Sequence, residues 1–212
     1  MKIGILGSGA VAQTLGSGFL VHGHDVMLGT RSVSKLSDWV SKNPLGRVGT
    51  FSEAAQFAET AVLAVKGTSA LDAIHAALEP NLAGKPCIDV TNPIADLPPE
   101  NGVLRYFTTL DDSLMERLQR EFPAVNFVKA FNSVGQACMV NPSFKGGKPT
   151  MFICGNDGAA KKIVSGICGQ FGWDAEDLGK AEAARAIEPL CMLWCIPGLL
   201  RNDWWHAFKL LR

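Results

Sequence analysis

Residues 2–12 read Lys2-Ile3-Gly4-Ile5-Leu6-Gly7-Ser8-Gly9-Ala10-Val11-Ala12. A short apolar run meets G-x-G-x-x-A, and helical periodicity follows. The pattern predicts a strand at 2–6, a tight turn and a helix over 10–22. Val11, Leu15, Gly18, Phe19 and Val21 give that helix an apolar face, and Gly23 suits its C-terminal turn. In this context Gly7 permits the turn, Gly9 lets a pyrophosphate reach the backbone, and Ala12 keeps helix and strand close. The N–H groups of Ala10 and Val11 then face the phosphates, aided by the helix dipole. Gly7, Ser8, Gly9, Ala10 and Val11 are therefore candidate dinucleotide-binding residues.

Working outward, residues 25–28 read as a second strand closed by Gly29-Thr30-Arg31. Chains that bind NAD place Asp or Glu about 20 residues after the fingerprint, at the end of this strand. Here that position carries Thr30, Arg31 and Ser32, with Lys35 shortly after, while Asp25 sits at the strand's other end. A carboxylate would repel a 2′-phosphate, whereas two cations and two hydroxyls would hold it. NADP(H) is expected rather than NAD(H).

The rest of the chain repeats the alternation of strand and helix. A polar helix is expected at 35–42, a short strand near Val48, and a helix through 58 capped by Ser52. The run Thr60-Ala61-Val62-Leu63-Ala64-Val65 reads as a strand buried on both faces. A helix at 69–78, strands at 87–90 and 127–131, and a helix at 112–122 follow. A strand at 150–154, a helix at 159–171, a strand at 173–178 and a helix from about 181 complete the order. Pro189 and Pro197 are expected to kink or break that last helix.

This spacing predicts a Rossmann-like, doubly wound, mostly parallel sheet with helices on both faces. One domain over 1–212 is expected, with 150–212 extending the sheet and adding a terminal helix. Ligands of such sheets lie beyond the carboxyl ends of the strands. That adds Val65 and Lys66, Asn92 and Pro93, and Ala130 and Asn132 as candidates. Pro93 extends Asn92 and is expected to aim its amide at the nicotinamide. Asp89 lies inside a buried strand and is expected to tie down the loop after it.

The composition narrows the function class. Of 212 residues 47% are hydrophobic and 19% charged, which supports a sizeable core and excludes disorder. Twenty basic residues balance twenty acidic ones, so no net field draws nucleic acid or anionic lipid. The six cysteines are scattered, as for reduced thiols packed as small hydrophobes. Cys191 and Cys195 share a helical face, but no second pair or nearby His suggests a metal site. The apolar run 3–6 is shorter than a signal-peptide core of about 7–15 residues. Residues 190–200, the most apolar stretch, carry Pro197 and stop at Arg201, short of the ~18 of a membrane helix. A cytoplasmic protein without a membrane span is expected. No nucleophile elbow, zincin helix or P-loop occurs.

Several of these segments recur together in a known family. Residues 2–9, Gly29-Thr30-Arg31, Asp89-Val90-Thr91-Asn92-Pro93 and Val128-Lys129-Ala130-Phe131-Asn132 resemble coenzyme F420-dependent NADP oxidoreductases and the reductase domains of STEAP-type metalloreductases. Ala184-Arg185-Ala186-Ile187-Glu188-Pro189-Leu190 is similar to that family's last helix. The first half more distantly resembles the N-terminal domain of pyrroline-5-carboxylate reductases, although their helical dimerisation domain does not occur here. The family resemblance implies NADP(H) with its nicotinamide over the strand ends, and a flat deazaflavin (F420) or flavin stacked beside it. Direct hydride transfer between rings needs positioning more than acid–base groups. No catalytic residue is assigned. The long 94–109 segment and the Trp204-Trp205 tail depart from the family pattern.

Two other readings stay open. One is an NADP(H) sensor without turnover. The other is an imine or carbonyl reductase, for which Lys66, Thr91 and Lys129 are the candidate proton donors. The partner is expected to be a small-molecule electron acceptor, and the apolar terminal helix a homodimer surface.

Overall fold

Neighbouring residues of the central strands bury their side chains in opposite layers. In β1 (Lys2–Leu6) Ile3 and Ile5 join one hydrophobic layer and Leu6 the other, all fully buried. The same split separates Val62 from Ala61 and Leu63 in β4 (Thr60–Leu63). It separates Ile88 from Cys87 in β5 (Pro86–Asp89), and Val128 from Phe127 in β6 (Asn126–Lys129). Apolar residues at every position, rather than every second one, mark strands covered on both faces.

The computed structural model describes all residues from Met1 to Arg212. Its strands form one eight-stranded sheet in the order β3-β2-β1-β4-β5-β6-β7-β8. The remaining members are β2 (Asp25–Gly29), β3 (Arg47–Gly49), β7 (Thr150–Gly155) and β8 (Asp174–Asp177). All neighbours are parallel except β6 and β7, which run antiparallel. This is the Rossmann-like, mostly parallel α/β sheet that the alternation predicts. The chain reverses its winding between β1 and β4, which opens a crevice at their carboxyl ends.

One layer is covered by α1 (Ala10–Val21), α2 (Ser37–Lys42) and α7 (Gly158–Gln170). The other is covered by α3 (Phe51–Phe57), α4 (Ala70–Ala77), α5 (Glu79–Leu82), α6 (Leu114–Glu121) and α8 (Ala184–Arg201). Helix α3 lies unusually close to the sheet because Gly4 has no side chain. A methyl there would stand 2.1 Å from the Ala54 carbonyl oxygen.

Three local expectations are corrected. Ser52 does not cap α3. Thr50 does, in a reciprocal box in which Glu53 N–H donates to Thr50 Oγ1 at 3.2 Å and Thr50 N–H to Glu53 Oε2 at 2.7 Å. The polar helix at 35–42 is a 3₁₀ turn, Val33–Leu36, followed by α2. Pro189 and Pro197 do not end α8, which runs 18 residues through both. Each proline removes one helical hydrogen bond. Burial of Ile187, Glu188, Cys191, Trp194 and Gly198 along one face holds the helix to the body. By length and composition the helical stretch Ala181–Arg201 is also long and apolar enough to cross a membrane, with about a third of its apolar span buried in the fold.

Residues 202–212 fold back on α8 and β7. Trp194 Nε1–H donates to the His206 carbonyl at 2.8 Å, and the two rings stack with centroids 5.0 Å apart. Thr150 N–H donates to the Phe208 carbonyl at 2.9 Å. The six cysteines are free thiols, and only Cys195 is partly exposed.

Candidate cofactor cleft

β1 ends at Gly7, whose φ of +149° and close packing both demand glycine. A methyl on Gly7 would lie 2.2 Å from the Ala64 carbonyl oxygen at the end of β4. Gly9 differs, with an extended backbone and nothing within 4 Å of where a Cβ would stand. Helix α1 starts directly after it with no side-chain cap. Its first N–H groups therefore lack helical partners and point into open space, as an anion-binding turn requires.

The end of β2 is pinned beside this turn. Gly7 N–H donates to the Gly29 carbonyl at 3.0 Å, and Thr30 N–H to the Gly49 carbonyl at 2.9 Å. Ser32 N–H donates to Thr30 Oγ1 at 3.1 Å, which curls the loop and presents Arg31 outward. Arg31 and Lys35 are exposed and enter no ion pair. Asp25 lies at the far end of β2, in register with Lys2.

These segments wall a cleft of about 530 Å³. Of the candidates, it is lined by Gly7, Ser8, Gly9, Ala10, Val11, Thr30, Arg31, Ser32, Lys35, Val65 and Lys66. Asn92, Pro93, Ala130 and Asn132 stand at the next strand ends and do not line it. Phe51 after β3 and Ser69, Asp72, Ala73 and Ala76 around α4 complete the wall, and the sequence reading missed them. The signal for the α4 residues was the strand-end rule itself, since α4 begins just beyond β4.

The two asparagines are not free amides aimed at a ligand, which corrects the reading of Asn92. Asn92 Nδ2–H donates to the Asn132 carbonyl at 2.7 Å. Asn132 Nδ2–H donates to Asn92 Oδ1 at 3.1 Å and to the Ile187 carbonyl at 3.0 Å. The pair staples the ends of β5 and β6 to each other and to α8. Asn132 Oδ1 is buried without a partner. Phe131, just before it, holds a φ of +59°, which turns the chain back sharply after β6.

Beneath the staple lies a fully buried ion cluster. Lys129 Nζ stands 2.7 Å from Asp89 Oδ2 and 3.0 Å from Glu188 Oε1, and donates to the Thr91 carbonyl at 2.9 Å. Burial alone would lower the Lys129 pKa, but Asp89 and Glu188 override it and hold the ammonium above its ordinary value. Asp89 Oδ1 accepts from Thr91 N–H at 2.9 Å and from Thr91 Oγ1–H at 2.6 Å, so it ties down its loop. Glu188 accepts from Leu114 N–H and Met115 N–H at 3.0 Å each, where the dipole of α6 favours its charge. Two of the three candidate proton donors, Lys129 and Thr91, are thus sealed in the core. Lys66 remains at the surface, paired with Asp96 at 3.2 Å.

The segment 184–190 docks through both of its charges. Glu188 meets Lys129, and Arg185 grips Glu116 with nitrogen–oxygen distances of 2.6–3.1 Å. The long 94–109 segment is anchored to the same helix. Tyr106 Oη–H donates to the Glu188 carbonyl at 2.8 Å, and burial, then the adjacent Cys191, push its pKa well up.

Fold and cleft together define a dinucleotide-binding α/β protein whose second strand ends in cations instead of an acid. The family described as coenzyme F420-dependent NADP oxidoreductase matches residues 2–93. A crystal structure from Arthrobacter sp. FB24, assigned provisionally as an F420-dependent NADP reductase, shares 33% identity over the whole of both chains with a TM-score of 0.93. The chain belongs to this family and is an NADP-dependent oxidoreductase. It is also 32% identical over 205 residues to the metalloreductase STEAP3 of Rattus norvegicus, covering 94% of this chain and 39% of that protein's length. An imine reductase from Streptomyces aurantiacus, at 15% identity, shares the fold with a TM-score of 0.71 over 94% of this chain and 63% of its own.

Proposed function

We propose that this chain passes hydride between NADP(H) and a flat, flavin-like acceptor, deazaflavin F420 or a flavin. The observation that carries the cofactor side is the unpaired cations Arg31 and Lys35 at the end of β2. Bare helical N–H groups beside them and the missing carboxylate fit an anionic ligand with a third phosphate. In this reading the turn Gly7–Val11 holds the pyrophosphate, and Thr30, Arg31, Ser32 and Lys35 hold the 2′-phosphate. Val65 and Lys66 flank the nicotinamide half. Asn92, Pro93, Ala130 and Asn132 form a rigid floor on the acceptor side. The reduced cofactor supplies the hydride when bound; the chain's part is to hold the two rings in register and to exclude water.

Burial of Lys129 and Thr91 removes two of the three candidate proton donors for reduction of an imine or carbonyl and leaves Lys66 alone for that role. A sensor that binds NADP(H) without turnover also stays open. The scattered thiols fit a reducing compartment such as the cytoplasm.

The test is NADPH oxidation with F420, FMN, FAD, a ferric chelate and a cyclic imine, with NADH as control. Fast turnover with a deazaflavin or flavin, and little with NADH, is expected. Turnover only with the imine would replace this reading with imine reduction. Bound NADPH with no turnover on the whole panel would replace it with the sensor.

A further inference from the structure

The lining of the cleft is mixed in chemistry. Beside the phosphate turn and its two cations it includes Phe51 and, from α4, Asp72, Ala73 and Ala76. Asp72 is an exposed acid in the first turn of α4 and has neither an ion-pair nor a hydrogen-bond partner. A carboxylate lining a phosphate-binding cleft repels anions, so the ligand part facing it must be uncharged and bring a donor. Phe51, Ala73 and Ala76 around it offer apolar surface to a flat ring.

We propose that Asp72 reads the cofactor's base by accepting a hydrogen bond from the exocyclic amine of adenine. This rests on the NADP(H) reading of the cleft. A base with a carbonyl in place of that amine, as in hypoxanthine, sets two acceptors against each other and is rejected. Placement of Asp72 near a helix N-terminus also favours the helix dipole, but that role is blind to the base.

The test compares binding of NADPH and of its deaminated analogue, nicotinamide hypoxanthine dinucleotide phosphate, by fluorescence titration. Wild-type protein should prefer NADPH by about tenfold, the scale of one hydrogen bond to a charged group. In Asp72→Ala the preference should fall to within about twofold. Asp72→Asn should narrow it too, because an amide can also donate to the hypoxanthine carbonyl. A wild-type protein that binds both equally, or a preference that survives Asp72→Ala, overturns the inference and leaves the NADP(H) reading standing. Failure of wild-type protein to bind NADPH overturns both. Alanine favours helix, and the exposed site has no partner to lose, so the variants should keep the wild-type circular dichroism spectrum.

Discussion

In the proposed reading, the Arg31 side chain carries the choice between two cofactors. Arg31→Ala should weaken NADPH binding by about 1–3 kcal/mol, the range for losing hydrogen bonds to a charged group. NADH binding should hardly change. Calorimetric titration of both would check this, and equal losses would remove Arg31 from the 2′-phosphate site. Glycines 7 and 9 should separate stability from binding. Gly7→Ala forces a methyl against the Ala64 carbonyl oxygen at 2.2 Å and should lower the unfolding temperature. In Gly9→Val the Cβ has no protein atom within 4 Å beyond its chain neighbours and the backbone is ordinary, so the fold should survive. Its side chain would occupy the ground where a phosphate meets the α1 N–H groups, and NADPH affinity should collapse. Much of this was legible in the sequence, because the fingerprint is local: strand, turn and helix occupy twenty consecutive residues. Burial of Lys129 was not. A lysine at a strand end reads as polar and exposed, and only the fold brings Asp89 and Glu188 to it. Asp72 escaped for the same reason, since β4 must first lie beside β1.

Besides its buried face, helix α8 is held by two charged attachments. Lys129→Met leaves Asp89 and Glu188 buried without their cation, and should destabilise the protein by about 3–5 kcal/mol. Denaturant unfolding would measure it; a loss under about 1 kcal/mol would mean the cluster is better solvated than its full burial implies. The second attachment titrates. Burial acts to raise the Glu116 pKa, but Arg185 and the Ser113 cap outweigh it and bring the carboxyl below its ordinary 4.5. A carboxyl lowered on folding binds its proton more tightly when unfolded. Its contribution is therefore full above about pH 4.5 and is lost as pH falls through the folded value. Glu116→Gln should flatten that part of the stability profile below pH 5, read from thermal unfolding across pH. The prolines of α8 show where sequence reading stopped. Proline predicts a break from local sterics, yet tertiary burial on one face keeps the helix continuous.

For the molecule as a whole, the outer face of α8 is the open surface. Leu193, Leu199 and Leu200 are exposed on it. We propose that two copies pair through this face. Sedimentation equilibrium should then give a dimer for wild-type protein and a monomer for Leu193→Glu; a wild-type monomer would refute the pairing. The mostly parallel, doubly wound sheet was readable from the alternation of apolar runs and helical segments. The reversal between β6 and β7 was not, because periodicity carries no strand direction.

Every residue lining the cleft falls between positions 7 and 90, inside the 2–93 segment that matches the family. The clustered staple, the ion cluster and α8 draw mainly on later residues. In the reading proposed above, cofactor choice is written before position 93 and acceptor choice largely after it, like a socket and an interchangeable tool head. Substitution can reshape the later part for a new acceptor without touching the grip on the dinucleotide.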